Sequence, residues 1–185
     1  GFGGNLLIGK GYFTMALYKL PYGEENIEVE VSDKNFLYYA SPVVQETIPD
    51  RDEVIQNAFD NPIGTARLEE IVSPEMKIAI LLDDVTRPTL KRVLLEEVLR
   101  RLETAHVPDE NITLIVALGT HRTLTDQEIE RHYGRDMIRR FRFLNLDYKD
   151  TSAFVDLGTS ENGTPIQVYR VVVESDFKIA IGNIV

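Results

Sequence analysis

Two apolar runs, residues 77–82 (KIAILL) and 112–118 (ITLIVAL), constrain this chain more than any other feature, because neither can sit outside a core. Strands buried on both faces of a parallel sheet read as near-continuous runs of this kind. Between them, Leu90, Leu94, Val98, Leu102 and Ala105 recur every third or fourth residue, with Lys91, Arg92, Glu96, Glu97, Arg100 and Arg101 on the other side. That spacing predicts an amphipathic helix packed on a sheet. Pro88 suits its first turn, where a missing N–H costs nothing. The unit is therefore strand, helix, strand. A right-handed crossover brings the carboxyl ends of both strands to one edge of the sheet, the edge at which open α/β sheets bind ligands.

The remaining segments extend this unit. Residues 27–31 (IEVEV) alternate as a half-buried strand does, and Leu20-Pro21-Tyr22-Gly23 is a turn signal. Residues 49–59 read as a short helix and 65–72 as a second, with Thr65 as its N-cap. Thr125-Asp126-Gln127-Glu128 is a capping box that opens a helix ending near Gly134. Residues 141–146 read as a strand, 155–157 and 166–173 as a hairpin across Asn162-Gly163, and 178–184 (KIAIGNI) as a last buried strand. The predicted class is α/β: a Rossmann-like open, mostly parallel sheet with helices on both faces and a β-hairpin insertion. Tyr38-Tyr39 and Phe141/Phe143 read as core or edge aromatics.

Composition removes several function classes. A formal net charge of -10 over 185 residues disfavours nucleic acid and anionic lipid as main partners. The count of Cys is 0, so there is no disulfide, thiolate nucleophile or cysteine metal site, which fits a reducing cytoplasm. No run has the length of a membrane span, and the first residues lack the apolar stretch of a signal peptide. Met15 reads as a native start and residues 1–14 as a leader or tag. There is no GxGxxG, P-loop or GxSxG. No histidine pair has the spacing of a helical zinc motif, so no metal ligands are assigned.

Both apolar runs end in polar clusters, Asp83-Asp84-Val85-Thr86-Arg87-Pro88 and Gly119-Thr120-His121-Arg122. Together they hold what is needed to grip an anion and move a proton. Asp84 is either a cap for the following helix or the carboxylate that orients a histidine and fixes its tautomer. Asp83 reads as solvated or capping. Arg87 is a surface charge or a bidentate grip on a carboxylate or phosphate, and Thr86 a helix N-cap or a hydroxyl donor to the same anion. His121, after a glycine that permits tight turning at Gly119, is the candidate general base. Arg122 either holds an anion or screens the acidic surface. His106 and His132 lie at helix C-terminal ends, where the dipole favours positive charge, and read as structural.

Four stretches, in order, resemble the nickel-dependent lactate racemases and related 2-hydroxyacid racemases and epimerases. They are Leu20-Pro21-Tyr22-Gly23, Asp60-Asn61-Pro62-Ile63-Gly64, Asp84-Val85-Thr86-Arg87-Pro88 and Gly119-Thr120-His121-Arg122. The resemblance implies an enzyme that passes the α-hydrogen of a hydroxyacid as hydride to a nickel-pincer nucleotide while a histidine takes the hydroxyl proton. Carried over, His121 is similar to one of two acid–base histidines and Asp84 to its orienting partner. Arg87, with Thr86 beside it, resembles a substrate- or cofactor-anion contact. Gly119 and Arg122 match as loop-shaping and accessory positions.

The resemblance runs from about residue 15 to 185 and implies an N-terminal domain. The cofactor-tethering lysine, the nickel-ligand histidine and a C-terminal domain that would be its partner have no match in this chain. The chain stops flush with a core strand, which reads as a cut end and as half an active site, inactive alone. The substrate class is a small 2-hydroxyacid carboxylate, its identity open, as is the oligomeric state. The competing reading is a non-catalytic module that binds a nucleotide or organic anion.

Overall fold

A computed structural model describes residues 15–23, 25–38, 40 and 50–183, which fall into two units divided after residue 48. The leader assigned to residues 1–14 lies outside the described residues. In the first unit, β1 (Met15–Tyr22) pairs antiparallel with β2 (Glu25–Ser32), and Gly23 turns the chain at φ +63. Leu20, Pro21 and Tyr22 are therefore strand, and the turn begins only at Gly23. The Tyr18 and Phe36 rings stack 4.9 Å apart. Tyr38 is 77% exposed, not a core aromatic, and Tyr39 is outside the described residues.

The second unit carries the sheet. Its strands β3 (Ile78–Asp83), β4 (Ile112–Ala117), β5 (Arg142–Leu144) and β8 (Phe177–Ile181) are all parallel, in the order β5-β4-β3-β8. Helix α3 (Lys91–Thr104) joins β3 to β4; α4 (Asp126–Tyr133) and α5 (Arg135–Arg140) join β4 to β5. These crossovers run the same way across the sheet, so their helices pack on one face. There, Leu95, Val98 and Leu102 meet Ile78, Ile80, Leu82, Leu114 and Val116 in a single buried cluster with Ile129 and Tyr133. Each fully buried Leu or Ile contributes about 1.5–3 kcal/mol.

The return from β5 to β8 carries an antiparallel hairpin, β6 (Phe154–Thr159) with β7 (Pro165–Tyr169), and α6 (Arg170–Val173). Ala79 and Ile115, which alternate onto the opposite face of β3 and β4, are also 0% exposed. The predicted α/β fold with a parallel sheet, flanking helices and a hairpin is thus observed. No helix of the described residues is long and apolar enough to cross a membrane.

Local expectations differ in informative places. The strand predicted at 166–173 stops at Tyr169, and its second half coils into α6. Helix α1 (Arg51–Asp60) is capped by Asp50, whose carboxylate accepts the N–H groups of Asp52 and Glu53. Helix α2 (Leu68–Ile71) begins three residues after Thr65, with the Glu70 carboxylate accepting the Arg67 N–H at 3.3 Å. Helix α5 is an unpredicted addition, whereas the Thr125–Glu128 box and the Gly134 terminus of α4 are as read. Helix α3 starts at Lys91 rather than at Pro88, leaving Leu90 half exposed ahead of it. It ends in a Schellman motif: His106 N–H donates to Glu103 O and Val107 N–H to Leu102 O, with His106 at φ +59.

The largest departure is on α3. Lys91, Glu97 and Arg101, placed by their pattern on the exposed side, are 4%, 6% and 4% exposed. Helices α1 and α2 cover Glu97 and Arg101 with polar contacts, while Lys91 turns to Asp83. Arg101 reaches Asp60 at 2.7 Å, Glu69 at 2.8 Å and Glu97 at 2.7 Å, and Glu97 also accepts from Arg100 and Gln56. Arg100 above all, with Arg101 and Gln56, outweighs burial and holds the Glu97 carboxyl down to about 2.

Arg101→Ala removes the buried cation that joins Asp60, Glu69 and Glu97 and is expected to cost about 3–5 kcal/mol in urea unfolding at pH 7. Glu97 has a depressed folded value, so its stabilisation is full above the ordinary glutamate range and is lost as pH falls from 4.5 towards 2. Glu97→Gln should flatten that acid limb in stability measured against pH. His106→Gly should raise stability by about 1 kcal/mol by relieving the left-handed backbone of a residue with a Cβ.

Candidate active site

Parallel register sets the site. Asp83, the last residue of β3, lies opposite Ala117, the last of β4, on strands about 4.8 Å apart. The chain beyond each must turn at once. After β4 the His121 N–H donates to Leu118 O at 3.0 Å, closing a turn whose first central residue, Gly119, has φ +59 while Thr120 does not. This is the sign pattern of a type II′ turn, which asks for glycine there. A Cβ on Gly119 would meet nothing within 4 Å, so the demand is conformational and not spatial. After β3 the Thr86 N–H donates to Asp84 Oδ1 at 2.8 Å, an Asx turn, and the Arg87 N–H to Asp84 O at 3.4 Å.

These turns meet at Asp84, which is 6% exposed. Its Oδ1 also accepts the Thr86 hydroxyl at 2.5 Å, and its Oδ2 hydrogen bonds to Nδ1 of His121. Burial pushes the Asp84 carboxyl up, but the Thr86 hydroxyl and N–H and then His121 outweigh it, leaving the group below the usual aspartate range. An ionised Asp84 can only accept, so Nδ1 of His121 carries a proton, and in the neutral ring Nε2 is the unprotonated nitrogen. The imidazole is 53% exposed and lines a cleft of about 270 Å³ with Asp84, Thr86, Arg122 and the apolar Val85, Leu118 and Leu124. Thr86 is thus a donor to Asp84 and not a helix cap; Leu90 occupies the N-cap of α3.

The other predicted residues are placed differently. Arg122 borders the cleft, but its guanidinium donates twice to Glu128, at 2.7 and 2.9 Å, and once to Thr123 O. Arg87 is exposed on the loop, outside the cleft lining, and its guanidinium makes no hydrogen bond or ion pair among the described residues. His106 serves the α3 terminus. His132 sits in the last turn of α4, where burial, then Lys91 and Arg131, push its imidazole down despite the helix dipole.

Sequence reasoning missed the second layer of the site. Asp83 is not solvated: its Oδ2 accepts the Thr89 hydroxyl, Lys91 Nζ lies 3.0 Å from its Oδ1, and its carbonyl accepts the Tyr133 hydroxyl at 2.8 Å. The one available signal was Tyr133 itself, four residues after Ile129 on the apolar face of α4.

Because the Asp84 carboxyl is depressed, the His121–Asp84 bond stabilises the fold above the ordinary aspartate range and is lost as pH falls through the lower folded value. Asp84→Asn should therefore reduce the acid dependence of stability, followed by circular dichroism from pH 2 to 7. Gly119→Ala should cost about 1 kcal/mol in the same measurement, through backbone strain alone.

Residues 22–185 match the model of the lactate racemase N-terminal domain. The chain is 30% identical over 175 residues to a lactate racemase of Lactiplantibacillus plantarum, covering 92% of this chain and 40% of that protein. It is 26% identical over 176 residues to a lactate racemase of Thermoanaerobacterium thermosaccharolyticum, with the same coverage. It thus spans about two-fifths of the length of these relatives. The structure of the Thermoanaerobacterium thermosaccharolyticum lactate racemase apoprotein superposes with TM-score 0.69 at 25% identity, over 89% of this chain and 38% of that one. A Thermotoga maritima protein shares the fold, with TM-score 0.56, 23% identity and coverage of 74% and 34%. The strand-end site therefore lies in a chain that belongs to the lactate racemase N-terminal domain family.

Proposed function

We propose that residues 15–185 form the N-terminal domain of a racemase or epimerase of 2-hydroxyacids and supply one of its two acid–base residues and its carboxylate grip. The observation that carries this is the Asp84–His121 pair: a buried carboxylate holds Nδ1 of a histidine that lines a cleft, so that the neutral ring offers Nε2 as the base. Nε2 so held takes the proton of the substrate hydroxyl and returns it, the work of a general base and acid. Arg87 binds the substrate carboxylate. Its guanidinium has no partner among the described residues, while the neighbouring cations Lys91 and Arg122 are neutralised by Asp83 and Glu128. Thr86 locks Asp84, and Gly119 and Arg122 shape the loop that carries His121.

The hydride acceptor implied by the family resemblance is a nickel-pincer nucleotide. Among the described residues no three His, Asp or Glu side chains converge to hold a metal. The groups present do not fit the metal part of that cofactor; its tether and ligands belong in this reading to the C-terminal part that the longer relatives possess. The chain's own contribution ends at the hydroxyl proton and the carboxylate.

In a full-length, cofactor-loaded protein carrying this domain, His121→Ala should slow racemisation of L-lactate by about 10²–10⁴-fold in a chiral chromatographic assay, with folding intact. Unchanged turnover would overturn the assignment. Lactate binding without any racemisation by the wild type would favour a non-catalytic anion-binding module.

A further inference from the structure

The buried ammonium of Lys91 needs an explanation that the anion site does not give it. The side chain opens α3 and is 3% exposed, too enclosed to touch a substrate. Taking an ammonium out of water is costly unless it is paired and hydrogen bonded. Its two partners are specific: Asp83 Oδ1 at 3.0 Å and the main-chain carbonyl of Arg87 at 2.6 Å. The other oxygen of Asp83 accepts the Thr89 hydroxyl, and the Lys91 N–H donates to Thr89 O at 2.8 Å. The loop from β3 to α3 is thereby closed on itself, with Asp83 at one end, Thr89 and Lys91 at the other, and Arg87 held between them.

The backbone of Arg87 is held on both sides: its N–H donates to Asp84 O and its carbonyl accepts from Lys91, while Pro88 disfavours α conformations at the residue before it. The exposed side chain is left to move. The Asp83–Lys91 pair is neutral, so the latch adds order without adding a competing charge. From this geometry we infer that Lys91, fixed by Asp83 and Thr89, is a positioning residue that orders the backbone of Arg87 and so aims its guanidinium at the substrate carboxylate. The inference rests on the anion role proposed for Arg87.

The test uses this chain, ¹⁵N-labelled, with sodium L-lactate as probe. Amide shifts give affinity, and ¹⁵N relaxation at Arg87 gives backbone order. Lys91→Met should loosen the Arg87 amide and weaken lactate binding by about tenfold, as loss of a charge-assisted restraint would. Arg87→Met should abolish the Arg87-dependent shifts, and the double variant should be no weaker than Arg87→Met alone, the non-additivity expected of residues acting as one unit.

A wild-type affinity in Lys91→Met, a rigid Arg87 amide in it, or additive losses in the double variant would overturn the positioning role. If instead Arg87→Met binds lactate as well as the wild type, the anion site fails, while relaxation at Arg87 in Lys91→Met still decides whether the latch exists. Should Lys91→Met not fold, Asp83→Asn loosens the same latch with its shape retained and is expected to give the same pattern; wild-type order and affinity in it would overturn the role.

Discussion

One carboxylate joins the two loops on which any chemistry of this domain depends. Asp84 is removed from water, a loss an isolated charge could not sustain, and three hydrogen bonds offset it: two from Thr86 within its own loop and one from His121 across the sheet edge. The first two fold the β3 loop into an Asx turn. The third reaches a residue 37 positions away, and it can form only because β3 and β4 run parallel and end in register. Remove the carboxylate, and the two turns lose their one shared partner and His121 its fixed tautomer.

The charge pattern gives this arrangement a direction. The chain is acidic overall, with net charge -10, and it uses cations sparingly. Arg101 pairs with Asp60 of α1 and Glu69 of α2, tying both to α3, and with Glu97 of α3 itself; Arg122 pairs with Glu128, and Lys91 with Asp83. Arg87, by contrast, stands on the loop without a counter-ion among the described residues. An uncompensated guanidinium on the loop that also carries Asp84 is a local positive site on a negative molecule. A small organic anion finds there what the rest of the surface refuses it.

Features that depend on near neighbours were legible in the sequence. The apolar runs became β3 and β4, the Thr125–Glu128 box capped α4, and Asn162-Gly163 lies in the turn of a hairpin. The approach of Asp84 to His121 was legible too, since a right-handed βαβ unit brings both strand ends to one edge. What failed was anything set by a second covering layer. Period 3.6 shows one apolar stripe, and it could not reveal that α1 and α2 cover the other side of α3 with ion pairs, burying Glu97 and Arg101. Nor could it show that Lys91 turns inward to a loop carbonyl. The α6 turn was not legible either: Val171, Val172 and Val173 are β-branched and strand-like locally, yet Arg170–Val173 is helix.

The central claim is that Asp84 holds Nδ1 of His121 and leaves Nε2 bare as the base. It is tested most directly by the ¹⁵N spectrum of the histidine ring at neutral pH, with His121 assigned by its loss in His121→Gln. A proton on Nδ1, shifted strongly downfield by its carboxylate partner and reverting in Asp84→Asn, is the predicted result. A His121 proton on Nε2, or a ring spectrum indifferent to Asp84→Asn, would contradict the account.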